Sequence, residues 1–255
     1  MRRFYLVIIL VLFLIFSFWC VKYFNDQSAL GYGAPPYIEE DFTDNKSVVG
    51  LKGLSDLINW KRPEGPLRIG LQVGHWKNNE LPDELEKIRG NSGAAGRGIA
   101  EWEVNMAIAR ETEKLLESRS IVVDILPATI PPSYWADAFV AIHADGSSDP
   151  ETSGFKVAAP RRDYSGKASK LASLIEEVYG EAVGISRDPN VTRNMRGYYA
   201  FSWWRYEHAV HPMTPSVILE TGFLTNPEES KLLIERPGVP ARALFEALIK
   251  YLNID

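Results

Sequence analysis

Apolar and polar residues follow two different spacings along the chain from residue 67 onwards. Short, mostly apolar runs predict strands over Leu67–Gly74, Ile121–Leu126, Ala138–Ile142 and Pro215–Glu220. Longer segments with apolar residues at helical spacing predict helices from Glu101 onwards, over Ser169–Val183 and over Pro240–Leu252. Because strands and helices alternate, we predict a single α/β domain over residues 67–255, with a mostly parallel sheet flanked by helices.

The start of the chain has another pattern, an uncharged apolar run from Phe4 to Val21. As a helix, this run is about 27 Å long, close to the roughly 30 Å hydrocarbon core of a bilayer. A cleaved signal peptide is the competing interpretation, but its apolar region is usually shorter and is followed by small residues. We therefore predict a transmembrane signal-anchor over residues 4–24, and later removal of the anchor stays open.

Charges beside this run predict the orientation of the chain. Arg2 and Arg3 precede the run and only Lys22 follows it closely, so the positive-inside rule places residues 1–3 in the cytoplasm. The protein is then a single-pass protein of the cell membrane, with its folded domain on the extracytoplasmic, cell-wall side. Residues 25–66 are polar and rich in proline and glycine, which predicts a stalk or linker.

Composition excludes some classes of function. A formal net charge of −5 and the lack of a long basic cluster argue against a nucleic-acid partner. The single cysteine, Cys20, lies in the apolar run and excludes a thiolate zinc cluster. A metal site in this chain must therefore use histidine and carboxylate ligands.

Chemically active side chains stand at the ends of three predicted strands: His75, His143 and Glu220. The carboxyl ends of strands in an open α/β sheet line one crevice, so these residues are expected to converge. Zinc hydrolases commonly use two histidines and one carboxylate, with the fourth position open. Glu101, at the start of a predicted helix, is a suitable carboxylate.

Four segments resemble the zinc-dependent N-acetylmuramoyl-L-alanine amidases of the third amidase family. They are Val73–His75, Glu101–Ala109, Ala141–Asp145 and Val217–Glu228, and they span the predicted domain in order. The resemblance implies that His75, Glu101 and His143 bind one zinc ion. It also implies that Glu220, which precedes Gly-Phe-Leu, is the catalytic acid and base.

The resemblance further implies a peptidoglycan hydrolase. Such an enzyme cleaves the amide bond between N-acetylmuramic acid and L-alanine, in cell-wall turnover or daughter-cell separation. Two alternatives stay open: a zinc peptidase acting on the stem peptide, and a catalytically silent protein that binds peptidoglycan. An activator protein is also left open.

Two departures from the family pattern limit the transfer of roles. The segment after His75, residues 76–98, differs from the short glycine-rich loop usual in the family, so we expect it to rim the cleft and to affect substrate choice or access. Glu103 lies two residues from Glu101, and on a helix these side chains point about 200° apart. Only one can face the metal, and the register of the following residues favours Glu101.

Three further residues are candidate substrate contacts: Arg196, Trp203 and His211. Guanidinium groups and aromatic rings suit an acidic polymer that contains sugars. The alternative for Arg196 and Trp203 is a structural role, in which the tryptophan belongs to the core and the arginine is solvated. For His211 a structural role in its loop stays open. Its spacing from His208 also permits a metal ligand, but His75, Glu101 and His143 already complete a site with an open position.

Overall fold

The computed structural model describes residues 57–254. No helix within this range is long and apolar enough to cross a membrane. The predicted signal-anchor, residues 4–24, and most of the predicted stalk lie outside the described residues.

The described residues form strands, helices and short 3-10 turns in an order close to the predicted one. The strands are β1 (Arg68–Val73), β2 (Ala95–Gly96), β3 (Ile99–Ala100), β4 (Val122–Leu126), β5 (Ala138–Asp145), β6 (Lys156–Ala158) and β7 (Ser216–Phe223). The helices are α1 (Glu101–Glu117), α2 (Ala168–Val183), α3 (Arg193–Arg196), α4 (Pro227–Glu235) and α5 (Gly238–Leu252). The 3-10 turns are Asn78–Glu80, Asp83–Ile88 and Tyr199–Phe201.

The central sheet has five strands in the order β4-β1-β5-β7-β6. Neighbours from β4 to β7 pair in parallel, and only the edge strand β6 is antiparallel, against β7. The predicted α/β domain with a mostly parallel sheet flanked by helices is confirmed. Because β1, β5 and β7 run in the same direction, their carboxyl ends meet at one edge of the sheet.

The two faces of the sheet are covered differently. Alternate side chains of β1 and β5, among them Leu71 and Ile142, join the core formed with helices α1, α2 and α5. The opposite face, which includes Phe139 and Ala141, packs against 3-10 turns and loops, represented by Leu85 and Tyr199. The side chains of Gln72, His143 and Glu220 project from this second face, since side chains alternate along a strand.

Two strands are longer than predicted. β5 does not end before His143 but continues to Asp145, with an irregularity in its pairing to β7 between these two residues. β7 likewise runs through Glu220 to Phe223. Both functional side chains therefore stand on strand backbone, which gives them a fixed direction.

Candidate metal centre

His75, Glu101 and His143 come together at the carboxyl edge of the sheet. His75 follows β1, Glu101 is the first residue of α1, and His143 lies in β5. The Nε2 atom of His75 is 3.4 Å from Oε2 of Glu101, and Nδ1 of His143 is 3.0 Å from Oε1 of Glu101. One ligand atom from each residue lies within 4.8 Å of the others, which makes these residues a candidate metal site.

The ring of His75 is oriented by a backbone carbonyl. Its Nδ1 lies 2.8 Å from the carbonyl oxygen of Asn91, which can only accept a hydrogen bond. Nδ1 is therefore the protonated nitrogen, and Nε2 presents its lone pair to Glu101. Burial lowers the pKa of His75 more than the nearby Glu101 raises it, so the neutral, metal-binding form of the ring is favoured.

The Glu101 carboxylate is held by donors on three sides. Oε2 accepts a hydrogen bond from the N–H of Ala94 at 2.7 Å, and Oε1 accepts from the N–H of Ala144 at 3.1 Å and from Asn105 Nδ2 at 3.2 Å. N–H donors on both oxygens stabilise the ionised form of the carboxylate. The group is an anion in a fixed position.

A short hairpin places Glu101 in this position. Strands β2 and β3 pair antiparallel, and the two residues between them, Arg97 and Gly98, both have positive φ, as in a tight hairpin turn. The hairpin leads directly into α1, and the N–H of Glu101 returns to the carbonyl of Ala94 at 3.0 Å. Glu103, the competing carboxylate, instead accepts the N–H of Ala100 at 3.0 Å at the start of α1.

This donor set fits zinc. Adjacent ligand atoms in a tetrahedral zinc site with nitrogen and oxygen ligands are about 3.3–3.5 Å apart. The two histidine–glutamate contacts, 3.4 Å to Oε2 and 3.0 Å to Oε1, are near this value, and one atom of each residue lies within 4.8 Å of the others. The lone pair of His75 Nε2 faces an anionic oxygen with no proton between them, an arrangement that a cation stabilises. Two histidines and one carboxylate also leave a coordination position for a reacting group.

Glu220 stands beside this cluster. It pairs with His143 in the register of β5 and β7, and with Lys156 in that of β6 and β7. Glu220 is half-buried. Burial raises the pKa of Glu220 well above its ordinary value, the charges of Asp145 and Glu101 raise it further, and Lys156 partly offsets them. A carboxyl group with a raised pKa can both take and return a proton near neutral pH.

Lys156 is a buried cation next to Glu220. Its Nζ lies 2.8 Å from Oδ2 of Asp145 and 2.8 Å from Oδ2 of Asp188. Sequence analysis did not single out this group, because Lys156 and Asp188 belong to segments without a strong pattern. Lys156 lies on β6, directly beside Glu220 in the register of β6 and β7. Its positive charge therefore partly offsets the negative charges around Glu220.

The segment after His75 is folded against the domain rather than extended into solvent. The core on the second face of the sheet includes three residues of this segment, Leu81, Leu85 and Ile88. Gly93 passes so close to the metal centre that a Cβ atom there would lie 2.1 Å from Oε2 of Glu101. The carboxyl-terminal part of this segment is thus a wall of the metal centre, and its predicted effect on substrate choice or access stays a prediction.

The three candidate substrate contacts differ in their surroundings. Arg196 is exposed at the end of α3, and the half-buried ring of Trp203 contacts the rings of Tyr164, at 5.3 Å, and Trp204, at 5.8 Å. His211 stacks on Trp60 at 5.6 Å.

His211 lies at the other edge of the sheet from the metal centre. Its N–H donates to the carbonyl of Tyr134, which precedes the amino end of β5. From this end of β5 to His143 the strand extends about 16 Å. The structure does not bring His211 together with the metal centre.

Comparisons with known proteins identify the family of this chain. The profile of the family described as N-acetylmuramoyl-L-alanine amidase matches residues 69–249. The N-acetylmuramoyl-L-alanine amidase AmiA of Escherichia coli is 28% identical over 210 residues, which cover 64% of this chain and 72% of AmiA.

Solved structures show the same fold. The amidase Ami1 of Mycobacterium smegmatis has a TM-score of 0.54 at 19% identity and covers 73% of this chain and 97% of its own. The CwlD amidase of Clostridioides difficile, in complex with the GerS lipoprotein, has a TM-score of 0.52 at 20% identity and covers 74% of this chain and 100% of its own. The family match includes all three candidate ligands and Glu220, and this chain belongs to the N-acetylmuramoyl-L-alanine amidase family.

Proposed function

We propose that this chain is a zinc-dependent peptidoglycan hydrolase that cleaves the amide bond between N-acetylmuramic acid and L-alanine of the stem peptide. The convergence of His75, Glu101 and His143 beside Glu220 is the observation that supports it. A zinc ion held by the three ligands would supply Lewis-acid activation of the scissile amide and of water.

Glu220 has the proton-transfer role in this proposal. Its raised pKa makes it a competent base toward the attacking water and then an acid toward the leaving L-alanine nitrogen. Its strand position keeps the carboxylate beside His143. The charge of Lys156 opposes this rise of the pKa, which favours the ionised form of Glu220 that acts as the base.

The cellular setting is proposed from the sequence alone. We propose that residues 4–24 anchor the protein in the cell membrane as a single span, with the amidase domain on the cell-wall side, where its polymer substrate lies. Cell-wall turnover or daughter-cell separation is the process that such an enzyme serves. Fractionation of cells and protease treatment of spheroplasts test this location, since an external domain is digested without breaking the membrane.

The test of the activity combines metal content with product analysis. The purified full chain should contain about one zinc ion per chain and should release, from peptidoglycan, stem peptides with a free L-alanine amino group. Glu220→Gln should retain zinc and lose about 10²–10⁴-fold in turnover, because it keeps the size of the side chain without the proton transfer.

The same products separate the proposal from its alternatives. A stem-peptide peptidase leaves L-alanine attached to the muramic acid and releases shorter peptides. A silent binding protein holds zinc and sediments with peptidoglycan without releasing peptide. If the full chain binds no zinc, the proposed chemistry is wrong.

A further inference from the structure

A buried hydrogen-bond chain starts at the second nitrogen of His143. Nε2 of His143 lies 3.1 Å from the hydroxyl oxygen of Tyr198, and this hydroxyl lies 3.0 Å from Oε1 of Gln72. Gln72 is fully buried in β1, and Tyr198 is 4% exposed. The three side chains come from distant parts of the sequence and form one hydrogen-bond chain that ends at His143.

Two backbone carbonyls at the far end of this hydrogen-bond chain fix the orientation of the Gln72 amide. Its Nε2 lies 3.1 Å from the carbonyl oxygen of Ala128 and 3.4 Å from that of Pro127. Carbonyl oxygens only accept hydrogen bonds, so the amide nitrogen of Gln72 must face them. Tyr199 agrees with this assignment, since its hydroxyl donates to the Ala128 carbonyl at 2.6 Å and accepts from Gln72 Nε2 at 2.9 Å.

The donor and the acceptor of each remaining hydrogen bond then follow from the orientation of Gln72. Because the amide nitrogen of Gln72 faces the carbonyls, its oxygen faces Tyr198 and can only accept the hydroxyl hydrogen. The Tyr198 oxygen is left to accept a hydrogen bond from His143, so Nε2 of His143 is protonated. Nδ1, 3.0 Å from Oε1 of Glu101, is thereby the nitrogen whose lone pair is available to a metal ion.

We propose that Gln72 and Tyr198 are positioning residues that keep Nε2 of His143 protonated and so reserve Nδ1 for the metal. The inference rests on the proposed zinc site and adds the residues that prepare one of its ligands. Removal of such outer partners typically lowers metal affinity by about 10- to 100-fold.

The two residues have separable effects. Tyr198→Phe removes the acceptor of the Nε2 proton, and zinc affinity should fall by about 10- to 100-fold. Gln72→Met leaves the Tyr198 hydroxyl without its acceptor, so the hydroxyl turns to donate to Nε2 and the ring proton moves to Nδ1. Affinity should fall at least as much, yet the Gln72→Met change should have almost no effect in the Tyr198→Phe background.

A matched control removes a buried tyrosine hydroxyl elsewhere. Tyr134 is 9% exposed and donates to Asp124 at 2.6 Å, away from the metal centre. Tyr134→Phe should lower thermal stability without changing zinc affinity. Thermal unfolding of every variant separates loss of the fold from loss of the ligand geometry.

The experiment uses the full chain with ¹⁵N-labelled histidine, and measures imidazole proton positions by NMR and zinc affinity by chelator competition. Nε2 of His143 should stay protonated with and without zinc, and only Nδ1 should respond to the ion. An unprotonated Nε2 in the zinc-free protein, or zinc affinities of Tyr198→Phe and Gln72→Met within twofold of the parent, overturns the proposal. Failure of the parent chain to bind zinc refutes the proposed function instead, and the zinc-free spectra still decide the state of Nε2.

Discussion

Gly93 gives two candidate ligands the space that they occupy. Its φ is +70°, and a Cβ atom would lie 2.1 Å from Oε2 of Glu101 and 2.8 Å from Nε2 of His75. Gly98 also has positive φ, +80°, but a Cβ atom there meets nothing within 4 Å. The two glycines therefore separate backbone strain from steric exclusion of the ligands.

We expect Gly93→Ala and Gly98→Ala to cost similar backbone strain, about 1–2 kcal/mol each. Only Gly93→Ala should also displace ligands, with a loss of zinc affinity of at least about tenfold. Thermal unfolding and zinc titration of both variants measure the two effects. Equal zinc affinities in the two variants would show that the space at Gly93 does not matter for the metal centre.

Asp188 should make stability depend on pH. Burial raises the pKa of Asp188, but the hydrogen bonds from Lys156 and Asn190 and the charge of Lys156 outweigh it, so the pKa in the folded state lies below the ordinary value. A lowered folded pKa stabilises the protein above the unfolded pKa of about 3.9, and this contribution is lost as pH falls through the folded value.

Asp188→Asn should therefore lower the free energy of unfolding at pH 7 by about 1–3 kcal/mol, since Lys156 keeps Asp145 as a partner. The difference between parent and variant should shrink below pH 4. Denaturant unfolding at several pH values measures it, with Asp149→Asn, an exposed aspartate, as the control. A difference that does not change between pH 7 and pH 3 contradicts the ion-pair explanation.

Sequence was informative about the candidate metal ligands and silent about the residues that support them. His75 and His143 follow recognisable apolar runs, Glu101 begins a recognisable helix, and the structure brings the three together. The hydrogen-bond chain from His143 to Gln72 runs through Tyr198, which lies 126 residues from Gln72 in the sequence. No local pattern marks such a partner, because a buried tyrosine has the same sequence environment whether or not its hydroxyl faces a ligand.

At the scale of elements, long periodic segments were predicted and short ones were not. The helix over Ser169–Val183 was predicted within one residue of α2. The edge strand β6 and the β2–β3 hairpin have too few residues to show a period. Helix α4 did have a recognisable signal, since Asn226 caps it and Pro227 begins it.

The segment after His75 depends on one carboxylate for its attachment to a distant loop. Glu84 accepts the N–H groups of Glu207 and His208, each at 2.9 Å, and its Oε1 lies 2.8 Å from Nδ1 of His208. Burial raises the pKa of Glu84, but these donors outweigh it and hold the pKa below its ordinary value. The contact joins the 3-10 turn Asp83–Ile88 to the segment that follows Tyr199–Phe201.

Glu84→Ala should free both segments, because two backbone N–H groups lose their acceptor. We expect faster amide hydrogen exchange at residues 207 and 208 and a loss of about 1 kcal/mol in stability. Glu86→Ala, in the same 3-10 turn and exposed, should leave exchange at those residues unchanged. Unchanged exchange in Glu84→Ala would mean that the buried leucines alone hold the segment.

At the scale of the whole domain, the metal centre joins parts of the chain that the core holds on different sides of the sheet. Glu101 begins a helix packed on one face, whereas His143 projects from the other, and His75 lies in the loop beyond β1. Three anionic or lone-pair-bearing groups held together by this packing destabilise one another unless a cation binds. The fold thus maintains the site at a cost in stability that a bound cation would remove.

Chelation of zinc should therefore lower the melting temperature of the domain. If free zinc exceeds its dissociation constant about 1,000-fold, binding contributes about 4 kcal/mol, equivalent to roughly 8–16 °C for a domain of this size. His75→Ala should melt at the same temperature with and without chelator, because it has already lost a ligand. His208→Ala, which removes an imidazole outside the metal centre, should keep the full shift. If neither chelator nor added zinc changes the melting temperature of the parent chain, the three side chains are stable together without an ion.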